Sequence, residues 1–164
     1  MLFQPMDKLP LNNGATLLFT PCPGSKDVPL EQSVVQLKDA GSNAIITLMY
    51  DNDMANNGIQ DLALLCKKHD LAWFQLPIYD DAAPNSDFLA AWQTHLADIL
   101  AILKKQGTVA VHCKGGTGRT GLVIGLLMLE LGYDKVTAKR LVQGIRSKSL
   151  VIPAQVTYFN EFNK

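Results

Sequence analysis

One stretch constrains this chain more than any other: Val109-Ala110-Val111-His112-Cys113-Lys114-Gly115-Gly116-Thr117-Gly118-Arg119-Thr120-Gly121. A β-branched apolar run ends at His112, a Gly-rich turn follows, and Leu122 to Leu131 is an apolar run of helical length. Strand, Gly-rich turn and helix in that order make an anion cradle, because turn amides and a helix N-terminus point at one spot. The two ends of the cradle set it apart. Cys113 stands where the strand stops and Arg119 where the helix begins, with five residues between them.

The spacing suits a phosphate group. Its peripheral oxygens need donors, which the amides of Lys114, Gly115, Gly116, Thr117 and Gly118 can supply, glycine allowing the inward turn. Arg119 adds a planar, permanently charged fork matched to two phosphate oxygens. Cys113 would then lie under the phosphorus, and a cation beside a helix N-terminus favours its thiolate, the nucleophilic form. Thr120 can offer its hydroxyl to the sulfur and ease its departure. Receptor and nucleophile therefore coincide. A nucleotide-binding loop would need Gly-Lys-Ser/Thr at its end, but Arg119 precedes Thr120. A plain strand–helix turn needs neither Arg119 nor the glycines.

The pattern His112-Cys113-x-x-Gly116-x-Gly118-Arg119-Thr120-Gly121 resembles the signature of the cysteine-dependent protein tyrosine phosphatase superfamily. The resemblance implies a phosphomonoester hydrolase that works through a cysteinyl phosphate and needs neither metal nor cofactor. His112 is expected to hold the loop through the backbone rather than act as a base.

Composition bounds the alternatives. The chain of 164 residues suits one domain, 1–164, with a real core, and at 48% hydrophobic it is not a disordered composition. Net charge is zero, so no global field argues for nucleic acid or a membrane surface. No apolar run is long enough to span a bilayer, and Pro5, Asp7 and Pro10 interrupt any secretory-signal reading of the first ten residues. Three cysteines suit a reducing, cytoplasmic setting better than a disulfide scaffold. His69 and His95 lack partners at metal-ligand spacing, and a monomer is expected.

Along the chain, strands expected at 15–20, 44–49, 71–76 and 108–112 alternate with helices at 29–40, 58–69, 86–106, 119–131, 135–146 and 153–162. Ser86 and Asp134 are the expected N-caps of their helices. The expectation is an α/β fold, a largely parallel sheet of four to five strands flanked by helices. The cradle then sits at the carboxyl end of a strand, where ligands of such sheets bind.

A leaving alcohol or phenol needs a proton as its P–O bond breaks. Candidates lie on the loop after Leu76, at Asp80 and Asp81. Within the superfamily the chain is most similar to the kinase-associated phosphatase group of small dual-specificity phosphatases. The similarity rests on Pro21 to Lys26, Pro77-Ile78-Tyr79-Asp80 with Pro84, the cradle, and Gln155 to Phe162. It implies Asp80 as the acid and a phosphoprotein substrate bearing phosphotyrosine, phosphoserine or phosphothreonine. It also places Gln155 where related phosphatases orient the hydrolytic water.

Two departures stand out. That group has Gly-Gly after its acid, whereas here the pair is Asp81-Ala82. Lys114, next to the nucleophile, is found in relatives acting on phosphoinositides or on mitotic phosphoproteins, and hints at a second negative charge on the substrate. Thr117 stands where lipid-selective members carry another lysine. A phosphoinositide phosphatase and a phosphate-binding module without turnover are the alternative functions. Sulfur transfer and arsenate reduction are other chemistries of a cysteine loop; arsenate reduction would call for shuttling cysteines near Cys113, and none is close in sequence. Cys22 and Cys66 read as packing residues, and Arg140, Arg146 and Lys148 as a possible basic rim.

Overall fold

The structure, a computed structural model, describes residues 2–163; Met1 and Lys164, the ends of the expected domain, lie outside the described residues. A five-stranded sheet organises the chain. Its strands are β1 (Asp7–Pro10), β2 (Thr16–Thr20), β3 (Ala44–Thr47), β4 (Ala72–Gln75) and β5 (Thr108–His112), in the spatial order β1-β2-β5-β3-β4. Three of the four strand pairings are parallel, and β1 runs antiparallel to β2 at the edge. The expected parallel sheet is thus present, with an added hairpin strand. Nothing in Asp7-Lys8-Leu9-Pro10 alternates strongly enough to mark a strand, and a Pro and a Lys suit an exposed edge.

Strand alternation divides the core in two. Leu17, Phe19, Ala44, Ile46, Val109 and Val111 pack on one face; Leu18, Ile45 and Ala110 pack on the other. Both faces are covered, which is why these strands read as continuous apolar runs. The first face carries α4 (Ser86–Lys104), α5 (Gly118–Glu130), α6 (Lys135–Ile145) and α7 (Pro153–Glu161). The second carries α1 (Leu30–Asp39), α2 (Asp51–Asn56) and α3 (Leu62–Lys68). Helix α5 is buried almost all round, from Arg119 to Met128. Gly121 and Gly125 let Ser149 and Phe159 approach its backbone, since a Cβ at either position would overlap them.

Three local expectations need correction. Helix α2 lies where no element is expected: Asp51 and Asp53 in its first turn favour a short helix and Met54 anchors it in the core. Gly58, at φ +69, terminates α2 rather than opening the next helix, which starts only at Leu62. The N-cap of α4 is Asn85, not Ser86: its side chain accepts from the amides of Asp87 (3.0 Å) and Phe88 (3.3 Å). Asp134 does cap α6, accepting from Thr137 N at 2.7 Å.

Strand register decides where function sits. Thr20 pairs with His112, His112 with Thr47, and Thr47 with Gln75. The four parallel strands therefore end level, and the chain segments after them share one edge of the sheet.

Candidate active site

Cys113 is the first residue past β5 and is buried, 3% exposed. Its sulfur receives two hydrogen bonds, from Gly116 N (3.3 Å) and from Thr120 Oγ1 (3.1 Å). Both stabilise negative charge on sulfur. Gly116 is the glycine the turn requires: φ is +79, and a Cβ would lie 2.7 Å from the backbone carbon of Thr20. Thr117 is the N-cap of α5 but its side chain makes no capping bond, so the first amides of the helix have no side-chain acceptor. Ser149, fully buried, donates to Thr117 O at 2.7 Å and fixes the end of the turn.

Arg119 is 4% exposed. One terminal nitrogen donates to Ile78 O (3.2 Å) and, at 3.5 Å, to Leu48 O. The guanidinium is thereby held by the segments after β4 and β3. Its Nε has no partner among the described residues, and its other terminal nitrogen lies 3.5 Å from Asp80 Oδ1. That edge is the two-donor fork a phosphate needs. Asp80 is 76% exposed, so the pair contributes little to stability; what it reports is position. Asp81 lines the same cleft but stands at φ +59, in the left-handed region where the resembling group has glycine. Lys114, Lys148 and Ile152 line the mouth.

Gln155 is fully buried on α7 and donates to Ala82 O at 3.1 Å, while its Oε1 has no partner among the described residues. A Cβ on Gly118 would lie 3.8 Å from that oxygen, so Gln155 borders the cradle.

His112 is held by a relay. Trp73 Nε1 donates to Thr47 Oγ1 (2.8 Å), and Thr47 Oγ1 lies 2.7 Å from His112 Nε2. The threonine proton is then free for Nε2, which leaves Nδ1–H to donate to Cys113 O at 3.0 Å. The ring is neutral: complete burial pushes its pKa down to about 4 from an ordinary 6.5. Between those values the unfolded chain binds a proton that the folded chain refuses, so stability rises with pH across that window. We expect about 3 kcal/mol to be lost as pH falls from 6.5 toward 4. Urea midpoints across this range should show it, and His112→Asn should flatten the decline.

The structure thus brings together Cys113, Lys114, Gly115, Gly116, Thr117, Gly118, Arg119, Thr120, Asp80, His112 and Gln155. It also adds residues that carried no signal in sequence: Thr47, Leu48 and Ser149. Cys22, far away in the chain, bonds its amide to Lys114 O at 2.9 Å and so borders the cradle. Burial pushes its thiol up to about 11 and that of Cys66 to about 12, keeping both protonated. Of the supposed basic rim, Arg146 pairs with Asp7 at 2.6 Å and leans 5.5 Å from the Phe19 ring, whereas Lys148 lines the cleft.

A buried cysteine under a Gly-rich turn, with an arginine on the first turn of the next helix, is the site architecture of cysteine-dependent phosphatases. The chain belongs to that class: the family model described as "Polymorphic toxin system, DSP-PTPase phosphatase" matches residues 23–132. Cyclin-dependent kinase inhibitor 3 of Rattus norvegicus is 23% identical over 137 residues, 81% of this chain and 63% of that protein. The chain therefore spans somewhat less than two thirds of that relative. An Arabidopsis thaliana protein named phosphatidylinositol 3,4,5-trisphosphate 3-phosphatase and protein-tyrosine-phosphatase PTEN2A is 39% identical over 67 residues, 36% of this chain and 10% of that one. A solved kinase associated phosphatase, with serine replacing its catalytic-site cysteine, shares the fold: TM-score 0.86 at 21% identity, covering 99% of this chain and 95% of that one.

Proposed function

We propose that this protein hydrolyses phosphomonoesters of phosphorylated proteins by two-step transfer through Cys113, working as one domain in a reducing, cytoplasmic setting. The observation that carries the reading is the sulfur of Cys113, bonded by Gly116 N and Thr120 Oγ1, beside a buried guanidinium whose Nε is unpartnered. Arg119 and the turn amides bind the phosphate and stabilise its equatorial oxygens in the transition state. Cys113 attacks phosphorus in line while Asp80 protonates the departing oxygen. Water then attacks the cysteinyl phosphate; Asp80 takes its proton, Gln155 orients it, and Thr120 supports the leaving sulfur. The free thiols of Cys22, Cys66 and Cys113 support the reducing compartment.

The name and fold of the kinase-associated relatives support a phosphoprotein substrate. A second reading, a phosphoinositide, is favoured by Lys114 and Lys148 at the mouth of the cleft and by the name of the Arabidopsis relative. The test is turnover of p-nitrophenyl phosphate, phosphopeptides and soluble phosphoinositides, each with a chelator present. Phosphopeptide turnover supports the first reading and phosphoinositide turnover alone the second. Oxyanion binding with no turnover of any substrate would identify a binding module instead.

The acid is tested separately. Asp80→Asn should cost ~10²-fold or more on a phosphothreonine peptide, whose alkoxide needs a proton, and much less on p-nitrophenyl phosphate. It should also erase the alkaline limb of the pH–rate profile. Asp81→Asn should leave both features in place; the reverse pattern would move the assignment by one residue.

A further inference from the structure

Tyr50 contributes no group to the cradle, yet it touches both stems of the loop that carries Asp80. It follows β3 on the turn into α2. Its ring stacks on Tyr79, with centroids 4.2 Å apart and planes 16° from parallel, and Tyr79 immediately precedes Asp80. Its hydroxyl donates to Asp87 Oδ2 at 2.9 Å and accepts from Asn85 Nδ2 at 3.0 Å. Asn85 closes the same loop and caps α4 with its other side-chain atom. The Tyr50 hydroxyl both donates and accepts, and both polar side-chain atoms of Asn85 are engaged, which makes the arrangement specific rather than incidental.

We propose that Tyr50 is a positioning residue for the general acid: it staples the incoming stem at Tyr79 to the outgoing stem at Asn85 and Asp87, and so sets where Asp80 stands. The inference rests on Asp80 being the acid. Other attachments also hold the loop: Arg119 at Ile78 O and beside Asp80 Oδ1, Gln155 at Ala82 O, the turn bond from Ala82 N to Tyr79 O at 3.1 Å, and, on the β3 side, Ile78 N to Leu48 O at 3.1 Å, which reaches the incoming stem alone. Tyr50 is the tie from the β3 side that joins both stems. An aromatic stack resists sliding only weakly, whereas the hydroxyl bonds fix the ring's direction, so both halves of the side chain matter.

The experiment compares phenyl phosphate with p-nitrophenyl phosphate, two aryl substrates that differ by a para nitro group and whose leaving groups differ in their need for a proton. Tyr50→Leu, which loses stack and hydroxyl, should lower kcat on phenyl phosphate ~10-fold more than on p-nitrophenyl phosphate. Tyr50→Phe, which keeps the stack, should show a selective loss of ~3-fold and is a conservative change that will fold. Vanadate inhibition should stay within ~2-fold in both, since the cradle is intact. In an Asp80→Asn background, Tyr50→Leu should add no further leaving-group selectivity. Equal losses on both substrates, or none, in Tyr50→Phe and Tyr50→Leu would overturn the staple while leaving the acid standing, provided Asp80→Asn itself discriminates between the substrates. If Asp80→Asn does not discriminate, the acid assignment falls and the staple with it.

Discussion

Cys113→Ser is expected to remove turnover, by ~10⁴-fold or more on p-nitrophenyl phosphate, while phosphate and vanadate still bind. The reason is local. A serine hydroxyl is a far weaker nucleophile than a cysteine sulfur, and the two bonds from Gly116 N and Thr120 Oγ1 that reach sulfur now meet an oxygen. The proposed receptor is built from other atoms: the turn amides, the first turn of α5 and the guanidinium of Arg119. None of these depends on sulfur. Calorimetric titration with vanadate and steady-state kinetics on one preparation would separate the two properties. A serine variant turning over within about tenfold of the parent would end the covalent mechanism. One that neither binds nor turns over would show that the sulfur also shapes the cradle.

Arg119→Lys should cost ~10²-fold or more in kcat, the scale of losing an oxyanion donor, although charge is conserved. Lysine loses the planar pair of donors at Nε and the terminal nitrogen. It also loses the second job of this side chain, the bonds to Ile78 O and Leu48 O that tie the acid loop and the turn after β3 to the cradle. A single ammonium cannot make these bonds and hold two phosphate oxygens together. The loss should therefore fall mainly on kcat, where both transition-state charge and acid placement act, with a smaller change in KM. A lysine variant with parental kcat would mean that guanidinium geometry is not used.

The cradle was legible because it is contiguous. From Val109 to Gly121 the strand, the glycines, the nucleophile and the arginine follow one another, so spacing alone carries their geometry. The helices were legible by type but not always by their ends. Asn85 rather than Ser86 caps α4 because the cap is decided by which side chain reaches the free amides, and both residue types suit the role. Helix α2 is not legible in the sequence because six residues are too few to show a period. The departure in the acid loop is local too: Asp81 stands in the left-handed region that favours glycine, at the cost of some strain.

Sequence by itself determined the chemistry: a thiol, an arginine and turn amides at a spacing that suits phosphate, behind a strand and before an apolar helix. Tertiary structure decided how that chemistry is held. Level strand ends bring Thr47 to His112, Leu48 and Ile78 to Arg119, and Cys22 to Lys114. Packing of α7 and α6 brings Gln155 and Ser149 against the turn, and the meeting of the β3 and β4 segments stacks Tyr50 on Tyr79. These partners are dozens of residues apart, and backbone carbonyls take part as often as side chains. A carbonyl is present at every residue, so only the register of a sheet can single out which one an arginine will find.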